Sequence, residues 1–120
     1  MNQTILSHCS KHGINDEELF GAYKIFFGTL ASEPRLRILN LLRKKKMNVS
    51  EIADNTGMNQ TFVSHNLARL KKCGFLDIEN DGKFRYYKLN DKTIRPLLNL
   101  IDEHMSKNCI HILRGENNNE

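Results

Sequence analysis

The chain has 120 residues, 39% of them apolar and 27% charged, with a formal net charge of +4 and a sequence pI of about 9.1. That length suits one domain with one core, and no stretch approaches the ~20 apolar residues of a membrane-spanning helix. Three cysteines, Cys9, Cys73 and Cys109, are odd in number and widely spaced, which argues against a disulfide framework.

The opening "MNQTILSHCSKHG" lacks the apolar run of a signal peptide, so the expectation is a cytoplasmic, reduced protein with no membrane partner. Charge is unevenly spread. Residues 35–95 hold fourteen Lys/Arg and six Asp/Glu, whereas residues 1–34 and 96–120 each hold two and four. A basic middle between acidic ends is the electrostatic footprint of a nucleic-acid binder; a merely solvated basic surface is the alternative.

Residues 4–12 suit a short helix between Thr4 and Gly13, so residues 1–14 read as an N-terminal arm or short helix. Asn15 followed by Asp16, Glu17 and Glu18 is a stronger helix start, because carboxylates suit the positive helix end. Leu19, Tyr23, Phe26 and Leu30 then form one stripe and Phe20 and Phe27 a second. A helix apolar on two sides packs its own core and a further surface, which points to a dimer partner. Pro34 fits the first turn of the next helix. In that helix Leu36, Leu39 and Leu42 share a side, and "RKKK" (43–46) is expected to close it with positive charge.

Asn48 and Glu51 have capping-box spacing. They open a short helix that Gly57 closes. Asn59 caps the next, which runs to about Lys72 and stops at Gly74, with Val63, Leu67 and Leu70 pointing inward. Two helices around a tight glycine turn make a helix-turn-helix, whose second helix lies in the DNA major groove with its early residues on base edges. That placement accounts for the polar start of this helix. Gln60 suits bidentate pairing with adenine, Thr61 and Ser64 reach a base or phosphate, His65 donates to guanine or phosphate, and Arg69 contacts backbone or guanine. Phe62 either meets a thymine methyl or packs on the preceding helix.

After Gly74 the period becomes two. Asp81-Gly82 between two alternating runs signals a hairpin, with Lys83 and Arg85 beyond its turn. Of Tyr86 and Tyr87, one is expected inside and the other outside. Asp91 or Thr93 starts the last helix, along which Ile94, Leu97, Ile101, Met105 and Ile112 repeat at helical spacing. Pro96 must lie in its first turn or force a short kink there. Residues 15–113 thus form one winged helix-turn-helix domain, mainly α with a small β-hairpin (α+β), and 114–120 form a polar, disordered tail.

Over roughly residues 18–105 the chain resembles the ArsR/SmtB winged-helix repressors. The likeness rests on "LASEPRLRILNLL", "VSEIADNTGMNQTFVSHNLARLKKCGFL" and "NDGKFRYYKL", with "VSHNLARL" its most specific piece. It implies a homodimer joined through the first and last helices. It also implies a repressor that binds an operator, released by a metal, metalloid or redox signal. The family's thiol sensors often carry Cys-x-Cys where Asn48-Val49-Ser50 stands. The last-helix pattern Asp-x-His…His-x-x-Glu is matched only by Asp102 and His104, with Gly115 and Asn118 in its second half.

The remaining candidate ligands are His8, Cys9 and His12 at one end and Cys109 and His111 at the other. His8 and His12 are four apart and would share a helix face. With Cys9, and with Cys109 or His111 across the dimer, they would suit Zn²⁺ or a thiophilic metal or metalloid ion. A Cys9–Cys109 redox pair is a further alternative, as is Cys109 serving as a buried small apolar residue. The function expected is that of a sequence-specific regulator of double-stranded DNA, a repressor on a palindromic operator. The alternative is a winged-helix protein-interaction module without specific DNA readout. Nothing local resembles paired carboxylates, a phosphate-binding glycine loop or a nucleophile–base pair, so no enzyme is expected.

Overall fold

The structure, a computed structural model, describes residues 13–116. Helix α1 (Asp16–Leu30) begins at Asn15, whose side chain accepts from the Glu18 amide while Glu18 reaches back to the Asn15 amide, a complete capping box. Helix α2 (Glu33–Leu42) is capped by Ser32 with Pro34 in its first turn. Helix α3 (Val49–Thr56) and helix α4 (Gln60–Lys72) complete the helix-turn-helix. Strands β1 (Leu76–Asp81) and β2 (Phe84–Leu89) pair antiparallel, and helices α5 (Ile94–Lys107) and α6 (Cys109–Leu113) follow.

The core forms where these elements meet. Ile38, Leu39 and Leu42 of α2 lie against Ile52 of α3, Val63, Leu67 and Leu70 of α4, and Leu76 and Leu89 of the hairpin, with Ile94 and Leu98 closing it from α5. Phe75, fully buried, stacks on Phe26 at 5.2 Å between ring centroids, which seats the end of α4 against α1. Gly57 and Gly74 take φ of +78° and +80°. Both close helices in the left-handed region, where a side chain would be strained.

Local expectations are corrected at several points. Helix α2 ends at Leu42, so Arg43–Lys46 lie in the connection. There the first and last of them act as clamps: Arg43 pairs with Asp102 at 2.7 Å and donates to Asn99, and Lys46 pairs with Glu79. The next residue, Met47, bridges Tyr87 through both backbone groups. The hairpin turn is Gly82-Lys83 rather than Asp81-Gly82, because Asp81 pairs with Phe84. Gly82 alone has positive φ, +63°, as a two-residue turn with glycine first requires.

Thr93 is the N-cap of α5, one of the two starts expected, and Asn90 steadies the turn before it. The Asn90 side chain accepts from the Lys92 and Thr93 amides, and Thr93 makes no capping bond. Finally, the C-terminal helix breaks at Asn108 (φ −128°, ψ −79°), so His104 and His111 lie on different helices. Tyr86 and Tyr87 are both half-buried, not one in and one out.

Candidate nucleic-acid interface

Helix α4 has two sharply different sides. Val63, Leu67 and Leu70 are fully buried. Gln60, Thr61, Ser64 and His65 are all exposed, and the Asn59 side chain accepts from the Phe62 amide at 2.8 Å, fixing where the polar turn begins. Gln60 donates through Nε2 to Ser50 Oγ of α3 at 3.2 Å. That bond orients the amide and leaves its carbonyl and second N–H for another partner. Ala68 shares the outward side with Thr61 and His65 and was missed in the sequence. The signal was there in the spacing of 61, 65 and 68, but a small apolar residue draws no attention. Phe62 is 43% exposed, beside Pro34, Thr56 and Met58, so it is neither a core residue nor fully free.

The flank of α4 toward α1 is polar and tightly bonded, another feature the sequence reading missed. Arg35 donates through Nε to the carbonyl of Thr29 at 2.7 Å, through one terminal nitrogen to Gly28 and through the other to Asn66 Oδ1. Helix ends leave carbonyls without partners, and α1 has no basic residue in its last turn; Arg35 supplies both the donors and the charge. Asn66 is buried and donates in turn to the Phe62 carbonyl at 3.0 Å.

Thr29, also fully buried, donates to the Ile25 carbonyl and accepts from Arg69 Nε at 3.2 Å. The hydroxyl proton is committed to Ile25, so the Cys73 thiol, 3.3 Å away, acts as donor to the same oxygen. Cys73 is therefore structural, as its position at the helix end suggests. The detectable sign of this network was Asn66, a polar residue on the apolar stripe of α4. No buried side-chain nitrogen or oxygen lacks a partner among the described residues.

Arg69 is thus turned toward α1 rather than straight outward, while Lys83 and Arg85 are exposed at the hairpin tip. The opposite hairpin face carries Asp77, Glu79 and Asp81. The hydrogen bond from Lys46 holds the Glu79 carboxyl below its ordinary range, and the same bond holds the Lys46 ammonium above its own. Of the three acidic residues, Glu79 is paired within the chain, by Lys46 and by Lys88 at 3.9 Å.

Of the candidate metal ligands, the described residues hold Cys109 and His111. His8, Cys9 and His12 lie outside the described residues. Cys109 is exposed rather than a buried apolar residue, and His111 pairs through Nδ1 with Glu116. Among the described residues no three His, Cys, Asp or Glu side chains converge as a metal site would need.

Residues 32–77, from the cap of α2 into β1, match the family described as "Bacterial regulatory protein, arsR family". A probable mercury resistance operon repressor of Streptomyces lividans is 31% identical over 96 residues, spanning 76% of this chain and 77% of that protein. The chain belongs to the ArsR family. It is a winged helix-turn-helix transcriptional regulator. An HTH-type transcriptional regulator of Mycobacterium tuberculosis is 37% identical over 81 residues, which span 64% of this chain and 36% of that protein. Among solved structures, the homodimeric winged helix-turn-helix DNA-binding domain of a possible ArsR-family regulator from Mycobacterium bovis superposes with a TM-score of 0.72 at 30% identity. That match covers 78% of this regulator and 87% of that domain. Among the described residues no helix is long and apolar enough to cross a membrane.

Proposed function

We propose that this ArsR-family regulator is a repressor that binds a palindromic DNA operator as a homodimer, with α4 in the major groove. The observation that carries the reading is the exposed polar side of α4: Gln60, Thr61, Ser64 and His65 in its first two turns, set opposite Val63, Leu67 and Leu70. Gln60, steadied by Ser50, suits an adenine edge; Ser64 and His65 suit bases or phosphates; Ala68 suits a thymine methyl. Arg69, held at the flank by Thr29, suits a phosphate better than a base. Lys83 and Arg85 extend the contact along the backbone.

Self-association is supported by large apolar side chains open on the first and last helices: Phe20 at 62% exposure and Phe27 at 59% on α1, and Leu100 at 63% on α5. A dimer of this type sets its two recognition helices one DNA turn, ~34 Å, apart.

Titration with operator fragments tests this. Affinity falls by roughly 10³–10⁵ between 50 and 200 mM salt if six to ten phosphates are contacted. The double substitution Ser64→Ala, His65→Ala lowers specific affinity by about tenfold or more while the thermal melt stays in place. Unchanged specific binding would refute the assignment of α4.

A metal or metalloid response is the finer part of the same reading, favoured by the mercury repressor among the relatives. The described residues alone do not make such a site, so His8, Cys9 and His12 would have to meet Cys109 or His111 of a second copy. Zn²⁺ or a thiophilic ion is the ligand class. Purification without chelator, metal analysis, and DNA titration with Zn²⁺, arsenite and oxidant check it; the double substitution Cys109→Ser, His111→Ala should abolish any response.

A further inference from the structure

A cleft of about 460 Å³ opens between the middle of α1 and the end of α4, away from the base-reading side. Its wall from α1 is apolar, made by Ala22, Ile25 and Phe26; its wall from α4 carries Arg69, Lys72 and Cys73. The volume lies within the range of small-ligand sites, which combine apolar walls with a few placed polar groups. No acidic side chain lines the cleft. Arg69 gives one N–H to Thr29, leaving its other N–H groups, and Lys72 has no carboxylate partner among the described residues. An apolar wall facing two cations selects an anion with an apolar body. A carboxylate fits both halves, since it accepts from a guanidinium fork and from an ammonium.

We propose that this cleft binds a small apolar carboxylate and that its occupancy weakens DNA binding. The chain lies along Ala22, Ile25 and Phe26, and the carboxylate sits between Arg69 and Lys72. The second half rests on the DNA reading above: a bound carboxylate draws Arg69 away from phosphate and removes positive charge from the recognition helix. Neutralising one phosphate-contacting cation lowers the salt slope of binding by about one.

The test is a titration of the ¹⁵N-labelled full chain with decanoate, with decanol as the uncharged control and no DNA present. Saturable shifts at the Ala22, Ile25 and Cys73 amides, at least tenfold weaker with decanol, support the site. Ala22→Phe fills the cleft and abolishes those shifts, leaving DNA affinity without ligand within about twofold. If that variant does not fold, Lys72→Glu weakens decanoate at least tenfold with an unchanged melt.

No saturable shift overturns the site, including the case where a second copy of the chain already covers the cleft. So do an equal response to decanol and shifts centred on Phe20, Phe27 and Leu100. Decanoate binding without any DNA binding would refute the operator reading and leave the pocket standing. DNA binding with no decanoate effect on it, despite proven occupancy, overturns the regulatory half alone.

Discussion

The helix-turn-helix and the C-terminal pair of helices are built on opposite terms. In α3 and α4 every local signal agrees with the packing. Asn48 and Glu51 exchange capping bonds at 2.9 and 3.0 Å, Gly57 closes α3 with φ +78°, Asn59 caps α4, and each helix buries its apolar stripe within the chain. In α5 and α6 the apolar repeat is just as regular, but no side chain caps either start and a break falls at Asn108. Ile112 and Leu113 stand 78% and 81% exposed, and none of α6 is buried. The first region carries its partners with it. The second presents apolar surface that a single copy does not cover, which is the condition for folding stability and assembly to come apart experimentally.

Substitutions can break that comparison at either end. Leu67→Ala empties fully packed space inside the helix-turn-helix and is expected to cost about 2–5 kcal/mol by chemical denaturation. Leu100→Ala, at 63% exposure, should change the stability of one copy by less than about 0.5 kcal/mol while raising the dimer dissociation constant in sedimentation. Equal stability losses for both would mean that the two regions do not differ as described. Next in size, Asn48→Ala removes the acceptor for the Glu51 amide and should cost about 1 kcal/mol. Asn108→Ala removes only a side-chain bond to the His104 carbonyl at a break already present and should cost less.

The smallest effect sharpens the account of the hairpin. Glu79 is held below its ordinary carboxyl range chiefly by the Lys46 hydrogen bond. A depressed carboxyl stabilises the fold above its unfolded value and loses that contribution as pH falls through its folded one. Because both side chains stay partly open to water, which screens the pair, the change should be slight. Glu79→Gln should lower stability slightly above about pH 6, where the charged carboxylate contributes, and leave it unchanged at acid pH, so that the acid side of the profile flattens a little, read by melts across pH.

Much of the recognition helix is legible in the sequence alone. Its caps, its inward stripe and its four polar residues follow from local chemistry with short range, since a side-chain cap acts on amides two or three residues away. The Arg35–Thr29–Asn66–Arg69 network was not legible. It joins residues 31 and 40 positions apart, and no periodic pattern announces a side chain that bonds to the end of a different helix. The hairpin was placed correctly but its turn was off by one residue, because Asp-Gly and Gly-Lys both satisfy a two-residue loop and the register of the flanking strands chooses between them.

What composition and local pattern decided here is the order of elements, the basic middle, the helix-turn-helix with its polar face, and family membership. Packing decided which polar residues leave that face. Arg69 turns to the buried Thr29 hydroxyl, Arg43 and Lys46 close on Asp102 and Glu79, and Asn108 interrupts a helix that its apolar repeat would have continued. The physical reason is range. Helical propensity and capping are settled within a turn of chain, whereas the destination of a long cationic side chain depends on which carbonyl, hydroxyl or carboxylate folding has carried within its reach.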